Sequence, residues 1–129
     1  MTVTCSKAIL LLMEDSAFAR TIAQSLEDEG YAVHQIASGQ GAIDLINEKT
    51  FDVVVASSHT SDDVTGMDVL VHHELISPGH GRILLIDFIS PKVDYLVSFI
   101  GALCVPTETP PDKLLIWIKT VAGRTSVPG

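Results

Sequence analysis

The sequence predicts an α/β domain in three layers, a parallel five-stranded sheet with helices on both faces. Two observations predict it. Strand-like and helix-like segments alternate five times along 129 residues, the pattern of repeated βα units joined by right-handed crossovers. The strand-like segments are short apolar runs, as expected of strands buried on both sides.

Ala8 to Met13 is the first such run, bounded by charge. From Ser16 the period changes: Phe18, Ile22 and Leu26, with Ala19 and Ala23, recur at helical spacing between a serine N-cap and Gly30. Tyr31 to Ile36 returns to strand character, Ser38-Gly39 closes it, and Ala42, Ile43, Leu45 and Ile46 form a second helical stripe. Val53 to Ala56 is the third strand, followed by a polar loop from Ser57 to Thr65. Gly66 then opens a helix with Met67, Leu70, Val71, Leu75 and Ile76 as its apolar stripe, broken by Pro78-Gly79. Ile83 to Ile86 is the fourth strand. Ser90-Pro91 pairs a cap with a first-turn proline and starts a helix through Ile100. Ala102 to Val105 is the fifth strand. Thr109-Pro110-Pro111-Asp112 repeats the cap-and-proline signal before a helix from Lys113 to Ala122. Residues 1–123 thus read as one domain, and 124–129 as a flexible tail or linker stub.

Hydrophobic residues make up 47% and charged residues 19%, a composition for a compact fold and not for a disordered chain. The 16 acidic residues outnumber 8 Lys and Arg, giving a net charge of −8. That balance argues against nucleic-acid binding, which needs clustered cations. Cys5 and Cys104 are too few for a disulfide framework and lack metal-ligand spacing, so both are expected as buried, reduced thiols. No apolar run reaches the roughly 18 residues of a membrane span. The N-terminal stretch lacks a small-residue cleavage site, so it does not read as a signal peptide, and a cytoplasmic protein is expected.

In parallel sheets of this type, sites form at the carboxyl ends of the strands, near the switch in strand order. Glu14-Asp15, Ser57-Ser58, Asp87 and the segment after Val105 fall there. Leu12-Met13-Glu14-Asp15-Ser16-Ala17-Phe18-Ala19-Arg20 resembles the opening of bacterial response-regulator receiver domains of the CheY-like family. Gly30-Tyr31-Ala32-Val33, Ser38 to Ala42, Phe51 to Ala56, Gly66-Met67-Asp68 and Gly101-Ala102 are similar to later signposts of that family, in order across residues 8 to 122. The resemblance implies a flavodoxin-like (βα)5 sandwich with strand order 2-1-3-4-5, working in two-component or phosphorelay signalling.

The resemblance also implies chemistry that this chain lacks. In the family an Asp at the tip of strand three accepts a phosphoryl group, beside a divalent cation held by the acid pair of strand one. A hydroxyl on strand four and a lysine after strand five hold the phosphate. Counted from Asp52 the acceptor position is Ser57; counted back from Gly66 it is Ser58. The hydroxyl position falls on Asp87 and the lysine position on Glu108, or on Thr107 or Thr109 with a shifted loop. The switch aromatic of strand five falls near Cys104 or Val105. A serine needs a neighbouring base to become a nucleophile, and His59 in the loop is more simply a solvated side chain.

These positions predict a degenerate pseudo-receiver, a non-enzymatic protein-interaction module independent of aspartyl phosphorylation. Its partner would be a protein of a bacterial signalling pathway or a second copy of itself, with neither nucleic acid nor membrane involved. Glu14, Asp15 and Asp87 are the candidate ligands for Mg²⁺ or Ca²⁺, since hard carboxylate oxygens suit those ions. Ile116 and Trp117, off the Leu114, Leu115, Ile118 and Val121 core face of the last helix, are candidate interface anchors, with Tyr95, Leu96 and Phe99 beside them. His34, His72, His73 and His80 lack a partner arrangement and read as structural or solvated.

Two rival readings remain. One is a working phosphorelay receiver with a rearranged acceptor, for which loop acids Asp62 and Asp63 are candidate substitutes, more simply solvated turn residues. The other is a small flavodoxin-like enzyme or nucleotide-binding domain. Glu14-Asp15 stands where such a protein would carry a glycine-rich phosphate loop.

Overall fold

The structure, a computed structural model, describes residues 7–125. Five βα units follow in order: β1 (Ala8–Leu12), α1 (Ala17–Asp28), β2 (Ala32–Ile36), α2 (Gly39–Glu48), β3 (Val53–Ser57), α3 (Gly66–Ile76), β4 (Gly81–Ile86), α4 (Pro91–Ser98), β5 (Ala102–Pro106) and α5 (Pro111–Thr125). All strand pairs are parallel, in the order β2-β1-β3-β4-β5. This is the flavodoxin-like topology that the sequence predicts.

The central strands are apolar on both faces because both are covered. Ile9, Leu11 and Met13 of the first segment, with Val53, Val55, Ile83 and Leu85, pack under α1 and α5. Leu10, Leu12, Val54, Ala56 and Leu84 pack under α2, α3 and α4. Register follows from that alternation, since a one-residue slip would exchange the two faces. The Asp52 carboxylate reinforces it, accepting the Ala8 N–H at 2.8 Å.

Helix starts follow their caps. Ser16 and Ser90 accept the N–H of Ala19 and Val93 at 3.1 and 3.2 Å. The start of α3 holds a signal that the motif reading passed over. Thr65 accepts the Asp68 N–H while the Asp68 carboxylate accepts the Thr65 N–H, a reciprocal capping box.

Three expectations need correction. The α3 stripe is only partly right: Leu70 is buried and Met67 packs against the core, and Val69 and His73 are buried with them, whereas Val71, Leu75 and Ile76 are 39%, 74% and 51% exposed. The helix is apolar nearly all round, so spacing alone does not choose a face. His73 takes the structural of its two expected roles, but it is not partnerless. Its Nε2 lies 3.1 Å from the Phe51 carbonyl and its Nδ1 2.9 Å from Arg82 Nη1, with the residue fully buried. Finally, α5 runs from Pro111 to Thr125, longer at both ends than the expected Lys113 to Ala122. Cys5 and residues 126–129 lie outside the described residues. Cys104 is a free, half-buried thiol on β5, and burial, helped by the charge of Asp94, pushes it up.

Candidate functional site

The carboxyl ends of β1, β3, β4 and β5 meet at one pole of the sheet. Ser57 is the last residue of β3, paired with Leu85. Ser58 follows, and its N–H donates to the Leu85 carbonyl at 2.8 Å, continuing the pairing by one residue. The Ser57 hydroxyl accepts the His59 N–H at 3.3 Å. The Thr107 N–H reaches the Ile86 carbonyl at 3.0 Å, fixing the chain just beyond β5. Between them opens a cleft of about 450 Å³ lined by Met13, Glu14, Ser16, Phe18, Ser57, His59, Leu85 and Thr107. A second hollow, of about 310 Å³, is lined by Asp87, Thr107 and Glu108 and adjoins the cleft at Thr107.

The acids at this pole are turned apart. Asp15 pairs with Arg20 at 3.3 Å across exposed side chains, and Asp87 lies 3.4 Å from His59 Nε2. Glu14 lines the cleft, and its carboxylate has no hydrogen bond or ion pair among the described residues. Among the described residues no group of three His, Cys, Asp or Glu side chains could hold a metal ion. Glu14, Asp15 and Asp87 do not form such a group; Asp15 faces Arg20 and Asp87 faces His59.

The loop after Ser58 is clamped. Asp62 reaches back to the start of α2: its carboxylate accepts the Ser38 hydroxyl at 2.7 Å and the N–H groups of Gly39 and Gln40 at 2.9 and 3.1 Å. These donors, the Ser38 hydroxyl first, hold its carboxyl down to about 2, where an unpaired aspartate titrates at 3.8. Asp62 is exposed as expected, but it also anchors a helix terminus. Two glycines accommodate the loop at close range. A Cβ on Gly39 would collide with the Val64 carbonyl oxygen, and one on Gly66 with that of Ser57.

At the opposite pole, Arg82 is 2% exposed at the start of β4. It donates to the Ile100 carbonyl at 2.6 Å, to His73 Nδ1, and to the Glu74 carboxylate. Because Arg82 donates to Nδ1, the proton of His73 sits on Nε2 and points to Phe51. Burial first, then the Arg82 charge, pushes His73 from 6.5 down to about 4. This histidine-arginine core escaped the sequence reading; its signal was a charged residue directly before an apolar strand run.

Comparison with known proteins agrees with this architecture. A CheY-like receiver domain from Methanospirillum hungatei JF-1 superposes with a TM-score of 0.82, at 24% identity, covering 93% of this chain and 96% of the other. The fold is that of a response-regulator receiver. A Burkholderia pseudomallei response regulator, whose structure holds a phosphorylated aspartic acid, a calcium ion and citrate, has a TM-score of 0.76 at 23% identity over 92% of this chain and 69% of its own. In sequence, the alginate biosynthesis transcriptional regulatory protein AlgB of Pseudomonas aeruginosa is 36% identical over 70 residues, 54% of this chain. The match spans 15% of that regulator's length. No protein-family profile matches the chain. On this receiver fold, Tyr95 and Phe99 of the α4 segment are 65% and 67% exposed, stacked edge to face at 4.9 Å, and Ile116 and Trp117 of α5 are 59% and 42% exposed. Among the described residues no helix is long and apolar enough to cross a membrane.

Proposed function

We propose that this receiver-like domain signals by binding another protein of a bacterial two-component pathway, in the cytoplasm, without being phosphorylated on aspartate. One observation carries the reading: the tip of β3 ends in Ser57-Ser58, where the resemblance calls for a carboxylate. A serine there cannot form the acyl phosphate, and its nearest imidazole, His59, faces Asp87. Asp87 and Glu108 stand where a hydroxyl and a lysine would hold the phosphate, so the positions repel an anion. Of the two loop acids in the rival reading, Asp62 and Asp63, Asp62 is committed to α2, and phosphoryl transfer demands in-line placement. The exposed aromatic residues Tyr95, Phe99 and Trp117, with Ile116, are the anchors for the partner, since large rigid side chains dominate interface energetics.

Incubation with acetyl phosphate and Mg²⁺, read by intact mass, tests the phosphorylation claim. No adduct is expected. A hydroxylamine-sensitive phosphate on any aspartate would overturn it.

A further inference from the structure

We propose that the cleft at the carboxyl pole binds a small organic ammonium, an amine carrying an aromatic or branched apolar body. The body would rest on Met13, Phe18 and Leu85, and the charged nitrogen would meet Glu14. A second, ligand-responsive input is thereby assigned to the domain, and it stands whether or not the partner reading above holds.

The size fits. About 450 Å³ lies within the range of roughly 300–1,000 Å³ in which small-molecule sites fall. The walls fit too. Met13 and Leu85 belong to the core beneath α1 and α5, and Phe18 packs against it, so the floor is rigid and apolar. The polar inventory then selects the charge of the ligand. The Ser16 hydroxyl is spent on capping Ala19, whereas the Glu14 carboxylate and the Thr107 hydroxyl have no partner among the described residues. The Ser57 hydroxyl accepts from the His59 N–H and keeps its own proton.

Among the described residues no lysine or arginine lines the cleft, and Asp87 and Glu108 extend the negative rim past Thr107. An anion would face the Glu14 carboxylate with no cationic side chain among the described lining residues to offset it, and a neutral apolar body would leave the Glu14 charge unmatched. A bare metal ion lacks a third ligand among the described residues. An ammonium donates several hydrogen bonds to carboxylate and hydroxyl acceptors and asks for no fixed coordination number. His59, at the rim, is already faced by Asp87 and adds no unmatched charge.

Benzylamine, benzyl alcohol and benzoate share one body and differ in charge, so they separate the contributions. In ¹H–¹⁵N NMR titrations of the protein, benzylamine is expected to shift the amides of Glu14, Ser57 and Thr107 saturably and to raise the melting temperature. Benzoate should leave both unchanged, and benzyl alcohol should bind more weakly. Glu14→Gln, a substitution at an exposed position that leaves folding intact, should weaken benzylamine about two- to fivefold, the effect of a solvent-facing ion pair. Equal binding of benzoate, shifts centred on another surface, an unchanged affinity in Glu14→Gln, or no saturable shift with benzylamine would each overturn the proposal.

Discussion

The buried His73 makes a quantitative prediction about acid. In the fold its ring is neutral, held between the Phe51 carbonyl and the Arg82 guanidinium, and it titrates at about 4 where a solvated histidine titrates at 6.5. Between those two values the unfolded chain binds a proton that the folded chain refuses. Its contribution to stability is therefore fully present above pH 6.5, falls as the pH drops toward 4, and changes little below that. The gap is worth on the order of 3 kcal/mol, at about 1.4 kcal/mol per pH unit. The perturbation to make is His73→Gln, whose amide can still donate to Phe51 and accept from Arg82 but takes up no proton. Urea unfolding followed by circular dichroism at pH 7, 5.5 and 4 would give the stability of both proteins. Other groups titrate in both chains, so the difference between the two curves isolates residue 73. The variant should gain about 3 kcal/mol relative to the parent on going from pH 7 to pH 4, roughly 10 °C in melting temperature for a domain this size. Parallel curves across that range would refute the neutral, arginine-bonded assignment of His73.

Other parts of the fold carry their own tests. Arg82→Met strands the Ile100 carbonyl and His73 Nδ1 inside the protein, and should cost about 3–5 kcal/mol in urea unfolding; a loss below about 1 kcal/mol would contradict the buried network. Asp62 titrates low, so its anchoring of α2 is present above pH 4 and is lost as the pH falls through about 2. Asp62→Ala should accordingly speed amide hydrogen exchange at Gly39 and Gln40 at neutral pH, with equal rates in the two proteins counting against the anchor. Gly39→Ala places a methyl group against the Val64 carbonyl and should lower stability by about 1–3 kcal/mol, seen as an earlier thermal transition. An unchanged transition would mean that the loop is not seated as described.

The order of elements and the parallel sheet were legible in the chain because both rest on local signals. Ile9 to Leu12 and Val53 to Ala56 read as strands buried on both faces, and Ser16 and Ser90 mark helix starts through bonds to residues three positions on. The residue types at the carboxyl pole were legible too, because Ser57-Ser58, Asp87 and Glu108 follow directly from the ends of those strands. Their partners were set by long-range packing. Arg82 is buried because His73 and Glu74 of α3 and Ile100 of the turn before β5 satisfy it, and no local period encodes that meeting. Asp62 anchors α2 because the loop folds back over 24 residues to Ser38. Asp15 and Asp87 face Arg20 and His59, neighbours that the strand-end positions alone do not specify. Side-chain charge is written in the sequence; what neutralises it depends on which distant segments the packed core brings within hydrogen-bond reach.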